Sequence, residues 1–133
     1  MGYNTSVTGR IEILPPLSWG QFKDSIFHEN SDTWTDVVFD VEEVAFETDE
    51  GLMTRIQAIA VIPASEDGYK AYNIQEELQR LVNVFWPRHG FKGRLEGDGQ
   101  DNGDMWRLYV NDETGAVYKV KAKMVWPEDE VDR

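Results

Sequence analysis

The chain has 133 residues, no cysteine and a formal charge of −12, with 25 acidic side chains against 13 basic ones. This length suits one domain, and the lack of thiols excludes disulfide scaffolds, zinc ribbons, iron–sulfur clusters and cysteine nucleophiles. The negative charge disfavours direct binding to nucleic-acid phosphates, and no apolar run is long enough for a membrane span or signal peptide. We therefore expect a cytoplasmic protein.

The first elements are a strand and a short helix. Residues 6–14 alternate between apolar and polar side chains, which predicts a half-buried β-strand, and the Pro-Pro pair that follows should end it. Ser18 and Gln21 have the spacing of a capping box, which predicts a helix of about two turns. Phe22 and Ile26 would then face the core.

A long β-hairpin follows. Residues 35–48 and 52–62 both have strand-like patterns, and the residues between them, 49–51, supply turn chemistry with a glycine. Within the first strand the apolar positions change phase near Glu42 and Glu43. An extra residue there would explain the change, so we predict a β-bulge at that point.

The second helix has the clearest pattern in the chain. An apolar stripe recurs at helical spacing, and its members are Ile74, Leu78, Leu81, Val82 and Phe85. This periodicity predicts an amphipathic helix over residues 69–85, which Pro87 prevents from continuing.

Three further strands complete the chain, over residues 91–97, 105–111 and 116–126. In the last strand one alternating set is apolar and is expected to face inward: Val120, Ala122, Met124 and Trp126. The element order β-α-β-β-α-β-β-β predicts an α+β fold with a single antiparallel sheet of about six strands and helices on one face. Residues 1–126 would form this single domain, and residues 127–133 an acidic C-terminal tail.

The loop at residues 98–104 resembles part of a calcium-binding EF-hand. Asp98, Asn102 and Asp104 match ligand positions of that loop, but the position that needs a bidentate Glu is Tyr109. No helix precedes the loop either. A solvated hairpin loop is the favoured interpretation, and we expect no metal and no cofactor.

Catalytic residues are not evident. His28 lies in a polar loop and His89 in a turn, and neither has a sequence context that would place it beside a serine nucleophile. We expect both histidines at the surface. Adjacent acidic pairs diverge on a strand or helix, so they form no acid/base dyad by themselves. The protein is therefore expected not to be an enzyme.

The five tryptophans fall into two groups. Trp19, Trp106 and Trp126 occupy positions predicted to face inward and should pack in the core. Trp34 and Trp86 lie outside the apolar stripes. An exposed tryptophan is a good anchor for a protein partner, and Trp34 is our candidate; packing under a loop is the alternative.

The strongest functional signal is a dense run of acidic side chains. Residues 36–50 hold seven carboxylates and no Lys or Arg. They are Asp36, Asp40, Glu42, Glu43, Glu47, Asp49 and Glu50. Like charges so close together are unfavourable unless a cation pairs with them. Either Lys119, Lys121 and Lys123 of the last strand neutralise them within the fold, or the hairpin presents them to a basic surface elsewhere.

Three segments give the chain a resemblance to a known family. The segments are MGYNTSVTGRIEILPPLSW, SEDGYKAYNIQEELQRLV, and LEGDGQDNGDMWRLYV with a later VWP. The chain resembles an uncharacterised family of short acidic proteins of actinobacteria and their phages. No catalytic residue or ligand comes with this resemblance; it implies a stand-alone domain, and small acidic phage proteins often inhibit host machinery or defence systems.

Two functional hypotheses follow. The first is a non-enzymatic binding protein, such as a phage-encoded inhibitor, that presents the acidic hairpin and Trp34 to a basic protein surface. The second is a small-molecule or metal-binding module that uses the 98–104 loop or a pocket between helix and sheet. The oligomeric state stays open, because antiparallel edge strands can pair between copies.

Overall fold

The computed structural model describes residues 5–28, 31–64, 73–99, 104–123 and 126–127. The predictions for the middle of the 98–104 loop and for most of the acidic tail concern residues outside these ranges. In the described part of the chain, no helix is long and apolar enough to cross a membrane.

The described residues form one antiparallel sheet of six strands with two helices, which confirms the predicted α+β architecture. In chain order the elements are β1 (Thr5–Ser18), α1 (Trp19–Phe22), β2 (Val37–Thr48), β3 (Gly51–Pro63), α2 (Ile74–Phe85), β4 (Gly90–Gly99), β5 (Met105–Val110) and β6 (Val117–Lys121). Across the sheet the strands lie in the order β2-β3-β1-β4-β5-β6. β2 and β6 are therefore the two edges.

The hydrophobic core lies between one face of the sheet and the two helices. All five members of the α2 stripe are buried, so the prediction for this helix is confirmed for residues 74–85. They pack with Phe22 of α1 and with alternate side chains of the strands, among them Phe39, Phe91 and Leu108. The opposite face of the sheet has no helix in the described structure and carries mainly polar side chains.

The first two elements differ in length from their predictions. β1 continues through the Pro-Pro pair to Ser18, with an irregularity in its pairing to β3 between Glu12 and Leu17. The two prolines have no N–H to donate, and the shift in register lets β1 keep its hydrogen bonds to β3 before and after them. α1 is one turn rather than two; Phe22 is buried as expected, whereas Ile26 lies beyond the helix and is exposed.

The predicted hairpin is present, but its bulge is on the other strand. β2 pairs with β3 in one register up to Asp40, opposite Ala60, and in a shifted register from Val41, opposite Ala58. The extra residue is therefore Ile59 of β3, and β2 itself alternates without interruption. Val44 and Phe46 consequently point to the face opposite Phe39, because the hairpin extends beyond the core and needs no inward side chain there.

The last strand has the opposite phase from the prediction. Val117 is buried in the core, while Val120 is exposed on the open face. Lys119 lies opposite Leu108, and its ammonium group sits 5.0 Å from the centre of the Trp106 ring. β6 has two alternating sets that are both partly apolar, and contact with α2 decides which one is buried.

Candidate functional site

The order of the strands excludes one of the two interpretations of the acidic run. Six of the seven carboxylates belong to β2 and to the turn that follows it, and Asp36 directly precedes β2, whereas Lys119 and Lys121 belong to β6. Four strands separate β2 from β6 in the sheet. The lysines of the last strand therefore do not neutralise the acidic hairpin.

Asp36 is not part of the exposed acidic surface, contrary to the sequence-based expectation. It is only 7% exposed, and its carboxylate accepts hydrogen bonds from the backbone N–H of Asn73 and the side chain of Trp34. The backbone N–H of Asp36 donates in turn to Glu77 Oε2 at 2.6 Å. These bonds fasten the start of β2 to the first turn of α2.

The surroundings of Asp36 and Glu77 disfavour the charged form of both carboxylates. Burial raises the pKa of Asp36 above its ordinary value, although the hydrogen bonds from Asn73 and Trp34 oppose this. Burial also raises the pKa of Glu77, and repulsion from Asp36 adds to that increase. The charged forms of both groups therefore reduce the stability of the fold.

We expect Asp36→Asn to stabilise the protein at neutral pH, since an amide oxygen still accepts both hydrogen bonds while the buried charge is removed. Because the folded pKa of Asp36 is raised, the native protein binds the proton more tightly than the unfolded chain does. Its stability therefore falls as the pH rises through the interval between the two values. Urea unfolding midpoints should be measured from pH 4.5 to 8. We expect the difference in midpoint between the variant and the unaltered protein to be largest near pH 8.

Asp112→Asn, in an exposed turn, is the control for this measurement. It removes one negative charge without removing a buried one. The increase in stability of Asp36→Asn could instead be the same at every pH, or no larger than that of the control. Either result would contradict the conclusion that the buried charge of Asp36 destabilises the fold.

Two of the remaining acidic residues have partners inside the fold. Asp40 forms an ion pair with Arg10 of β1, with 3.1 Å between Oδ2 and NH1. The pair spans β3, where the small Ala60 lies opposite Asp40 and leaves room for the arginine. Glu42 accepts a hydrogen bond from the amide of Gln57 at 2.9 Å.

The other four carboxylates lie in the hairpin tip, which we define as residues 43–56. They are Glu43, Glu47, Asp49 and Glu50, and all four are exposed. No ion pair to any of them is found among the residues that the structure describes. The tip contains one basic residue, Arg55, so its net charge is −3.

Arg55, the basic residue of the tip, packs its guanidinium group on the ring of Phe46. Its guanidinium carbon lies 5.5 Å from the centre of the Phe46 ring, on one face of the hairpin. In the strand pairing, Glu43 lies opposite Ile56, and the next pair along the hairpin is Val44 opposite Arg55. Side chains of successive pairs point to opposite faces. Glu43 therefore points to the other face of the hairpin, away from the guanidinium.

Exposed apolar side chains accompany the acidic ones at the tip. Leu52 is 71% exposed, and Phe46, Met53 and Ile56 are also exposed. Clusters of exposed apolar side chains are typical of surfaces that contact other molecules. Strand pairing places Phe46 and Met53 on one face of the hairpin, and Leu52 and Ile56 on the other face with Glu43.

A cavity of about 810 Å³ adjoins the tip on the face that Glu43 occupies. Its lining includes Pro15, Pro16, Trp19, Glu43, Ile56 and Gln57. Strand pairing explains how they meet: Gln57 lies opposite Ser18, the residue before Trp19, and Ile56 lies opposite Glu43. The bend of β1 at its proline pair and the hairpin therefore form opposite walls.

Trp34 lies away from the tip. It precedes β2, whereas the tip begins at Glu43, so the first half of β2, residues 37–42, separates the two candidate features. The Trp34 ring is 70% exposed, and its hydrogen bond to Asp36 holds it against the fold. Of the two alternatives for Trp34, the structure shows the exposed one, but it does not bring Trp34 together with Glu43, Glu47, Asp49 and Glu50.

The predictions for the histidines and for two tryptophans need correction. His28 and His89 are buried, not exposed. His89 Nδ1 lies 2.6 Å from the carbonyl oxygen of Pro15, which can only accept, so this nitrogen carries the proton. Trp19 and Trp126 are exposed, whereas Trp106 is in the core as predicted.

The open face of the sheet balances its own charges. Arg107 donates to Glu96 at 2.7 Å, and this hydrogen bond lowers the pKa of Glu96 below its ordinary value. Lys92 lies opposite Glu12 in the pairing of β4 with β1. The carboxylates of the hairpin tip have no such ion pair among the described residues.

Comparison with known proteins identifies the family. A family model with the description "Family of unknown function (DUF6205)" matches residues 1–133. The chain belongs to DUF6205. No curated protein and no solved structure matches it.

In this DUF6205 protein the sequence located the acidic tip but not its neighbour, the cavity. Trp19, at a position predicted to face inward, is exposed and borders that cavity. A helix of one turn buries a single side, and Phe22 occupies it.

No cluster of three or more His, Asp or Glu side chains that could hold a metal occurs in the described parts of the chain.

Proposed function

We propose that this DUF6205 protein is a non-enzymatic binding protein whose hairpin tip docks on a basic surface of a protein partner. The observation that carries the proposal is the separation of charge within the sheet. The acidic hairpin forms one edge and the lysine-bearing strand the other, so the tip has no cationic neighbour in the described structure apart from Arg55.

The setting of this activity is a further part of the proposal. The family resemblance implies an origin in actinobacteria or their phages, and a small acidic protein of that origin suits a role as a cytoplasmic inhibitor of host machinery or defence. A negative tip with exposed Leu52 and Met53 fits such a role, because charge accelerates the encounter and apolar contact then slows dissociation.

Two variants of equal charge test the proposal. The tip variant carries Glu43→Gln, Glu47→Gln, Asp49→Asn and Glu50→Gln; the control carries Asp24→Asn, Asp98→Asn, Asp112→Asn and Glu113→Gln, all at exposed positions. Each immobilised protein is incubated with an actinobacterial lysate, and captured proteins are quantified by mass spectrometry.

We expect the tip variant to capture its partner about tenfold less at 0.1 M salt, since each exposed ion pair contributes roughly 0.2–1 kcal/mol. The control should capture as much as the unaltered protein does. Capture should also fall at 0.5 M salt, where screening shortens the reach of a charge to about 4 Å. Equal losses in the two variants, or none in either, would refute docking through the tip.

Small-molecule binding in the cavity is the second candidate. The volume of about 810 Å³ lies within the range of known ligand pockets, and the lining is largely apolar with a few polar groups. A ligand held there would raise the melting temperature, and the increase would grow with the logarithm of the ratio of ligand concentration to Kd. The observation that favours the first candidate is the net charge of −3 on the exposed hairpin tip.

A further inference from the structure

The cavity beside the hairpin tip has the chemistry of a site for an organic cation. Pro15, Pro16 and Ile56 supply apolar walls, and Glu43 supplies a carboxylate. Trp19 supplies an aromatic ring that is 45% exposed, held edge-on against Phe22 with 5.4 Å between the ring centres. An aromatic face and a carboxylate are the two groups that bind a guanidinium most favourably.

The polar groups of the lining favour a cation over an anion or a neutral ligand. Arg55 also borders the cavity, but its guanidinium lies over Phe46 on the opposite face of the hairpin. Gln57 is engaged with Glu42, which orients its amide. Glu43 is therefore the charged group that faces the cavity, and the surrounding tip adds further negative potential.

The chemistry of the walls favours an arginine side chain as the cation. An arginine side chain has an apolar stem and a planar, charged end, so it can lie along the proline wall while its guanidinium stacks on a ring and bonds a carboxylate. We propose that this cavity binds an arginine side chain of the protein partner, between Trp19 and Glu43. This inference rests on the proposed function, and it specifies how the partner is anchored.

A set of three peptides separates the cavity from the general attraction of the tip. Each peptide has nine residues with four flanking lysines, and the central residue is arginine, lysine or citrulline, the neutral analogue of arginine. The affinity that all three peptides share measures the attraction between the lysines and the tip. The difference in affinity between them measures binding of the central residue in the cavity. Affinities are measured by NMR titration at 50 mM salt, with the indole N–H of Trp19 assigned from a Trp19→Phe variant.

We expect the arginine peptide to bind about fivefold more tightly than the lysine peptide and about tenfold more tightly than the citrulline peptide, with the Trp19 signal shifting. Glu43→Gln should reduce both preferences to below twofold. Glu47→Gln, which makes the same charge change on the same strand and the same face, should leave them in place. Trp19→Leu should remove the preference for arginine over lysine, whereas Trp126→Leu should not.

Each alternative outcome has a definite meaning. If all three peptides bind equally and in a salt-dependent way, the arginine site is refuted while docking through the tip stands. If no peptide binds, both proposals fail. If Glu43→Gln and Glu47→Gln weaken the preference equally, charge at the tip explains it and the cavity does not. Should Trp19→Leu fail to fold, the pair of glutamate variants decides the question.

Discussion

Replacement of Phe39 by alanine should destabilise the protein strongly. Phe39 is 2% exposed and lies at the centre of an aromatic cluster, with ring centres 5.7 Å from Phe22, 6.4 Å from Phe27 and 6.1 Å from Phe85. Its ring thus joins α1, the following loop and α2 to the edge strand β2. Loss of a buried phenylalanine ring costs about 3–5 kcal/mol.

This cost is a large part of the total stability of a single domain, which is about 5–15 kcal/mol. Phe46→Ala is the matched control, because it is the same substitution on the same strand at a position that is 37% exposed. It should cost about 1 kcal/mol or less. Urea unfolding monitored by circular dichroism checks both. Similar losses for the two variants would mean that Phe39 does not join the helices to the sheet.

Addition of one methyl group at Gly97 should be the second most damaging change. Gly97 of β4 lies directly under the ring of Trp106 on β5, and a Cβ atom there would overlap the ring atoms Cε2 and Cζ2. The ring is buried and cannot move away without opening the core. Overpacking of this kind costs about 1–3 kcal/mol, and we expect Gly97→Ala to reach the upper end of this range.

Gly20→Ala is the control for this prediction, because no atom lies within 4 Å of a Cβ placed at that residue. Gly20 is in α1, so alanine there should be neutral or stabilising by about 0.5–1 kcal/mol. A second check is the double variant Gly97→Ala with Trp106→Leu. If the ring is the obstacle, the two losses will not add. Strictly additive losses would place the cause elsewhere.

Elements with strong local patterns were predictable from the sequence. The α2 stripe, the β2–β3 hairpin and the alternation of Trp106, Leu108 and Val110 all appear in the structure as expected. Each pattern depends on neighbours within one helix turn or one strand, so periodicity alone reveals it. The capping box is a further case, since Gln21 Oε1 accepts from the Ser18 N–H at 2.9 Å.

Features that depend on a distant neighbour were missed. The phase of β6 is set by α2 above it, and the bulge at Ile59 is set by the need of β3 to pair with both β1 and β2. Trp19 was placed in the core because the length of α1 was overestimated. The buried state of Asp36 depends on Glu77 and Asn73, which follow it by about forty residues in the sequence and touch it only in the fold.

The sequence by itself determined the charge of this protein, the helices and strands it forms, and the concentration of carboxylates in one hairpin. Only the tertiary structure decided which carboxylates are exposed, because strand order is a property of the whole sheet. By pairing β1 with both β3 and β4, the fold places the acidic and basic strands at opposite edges. The same pairing brings Trp19 and Glu43 to one cavity, and no local pattern encodes that meeting.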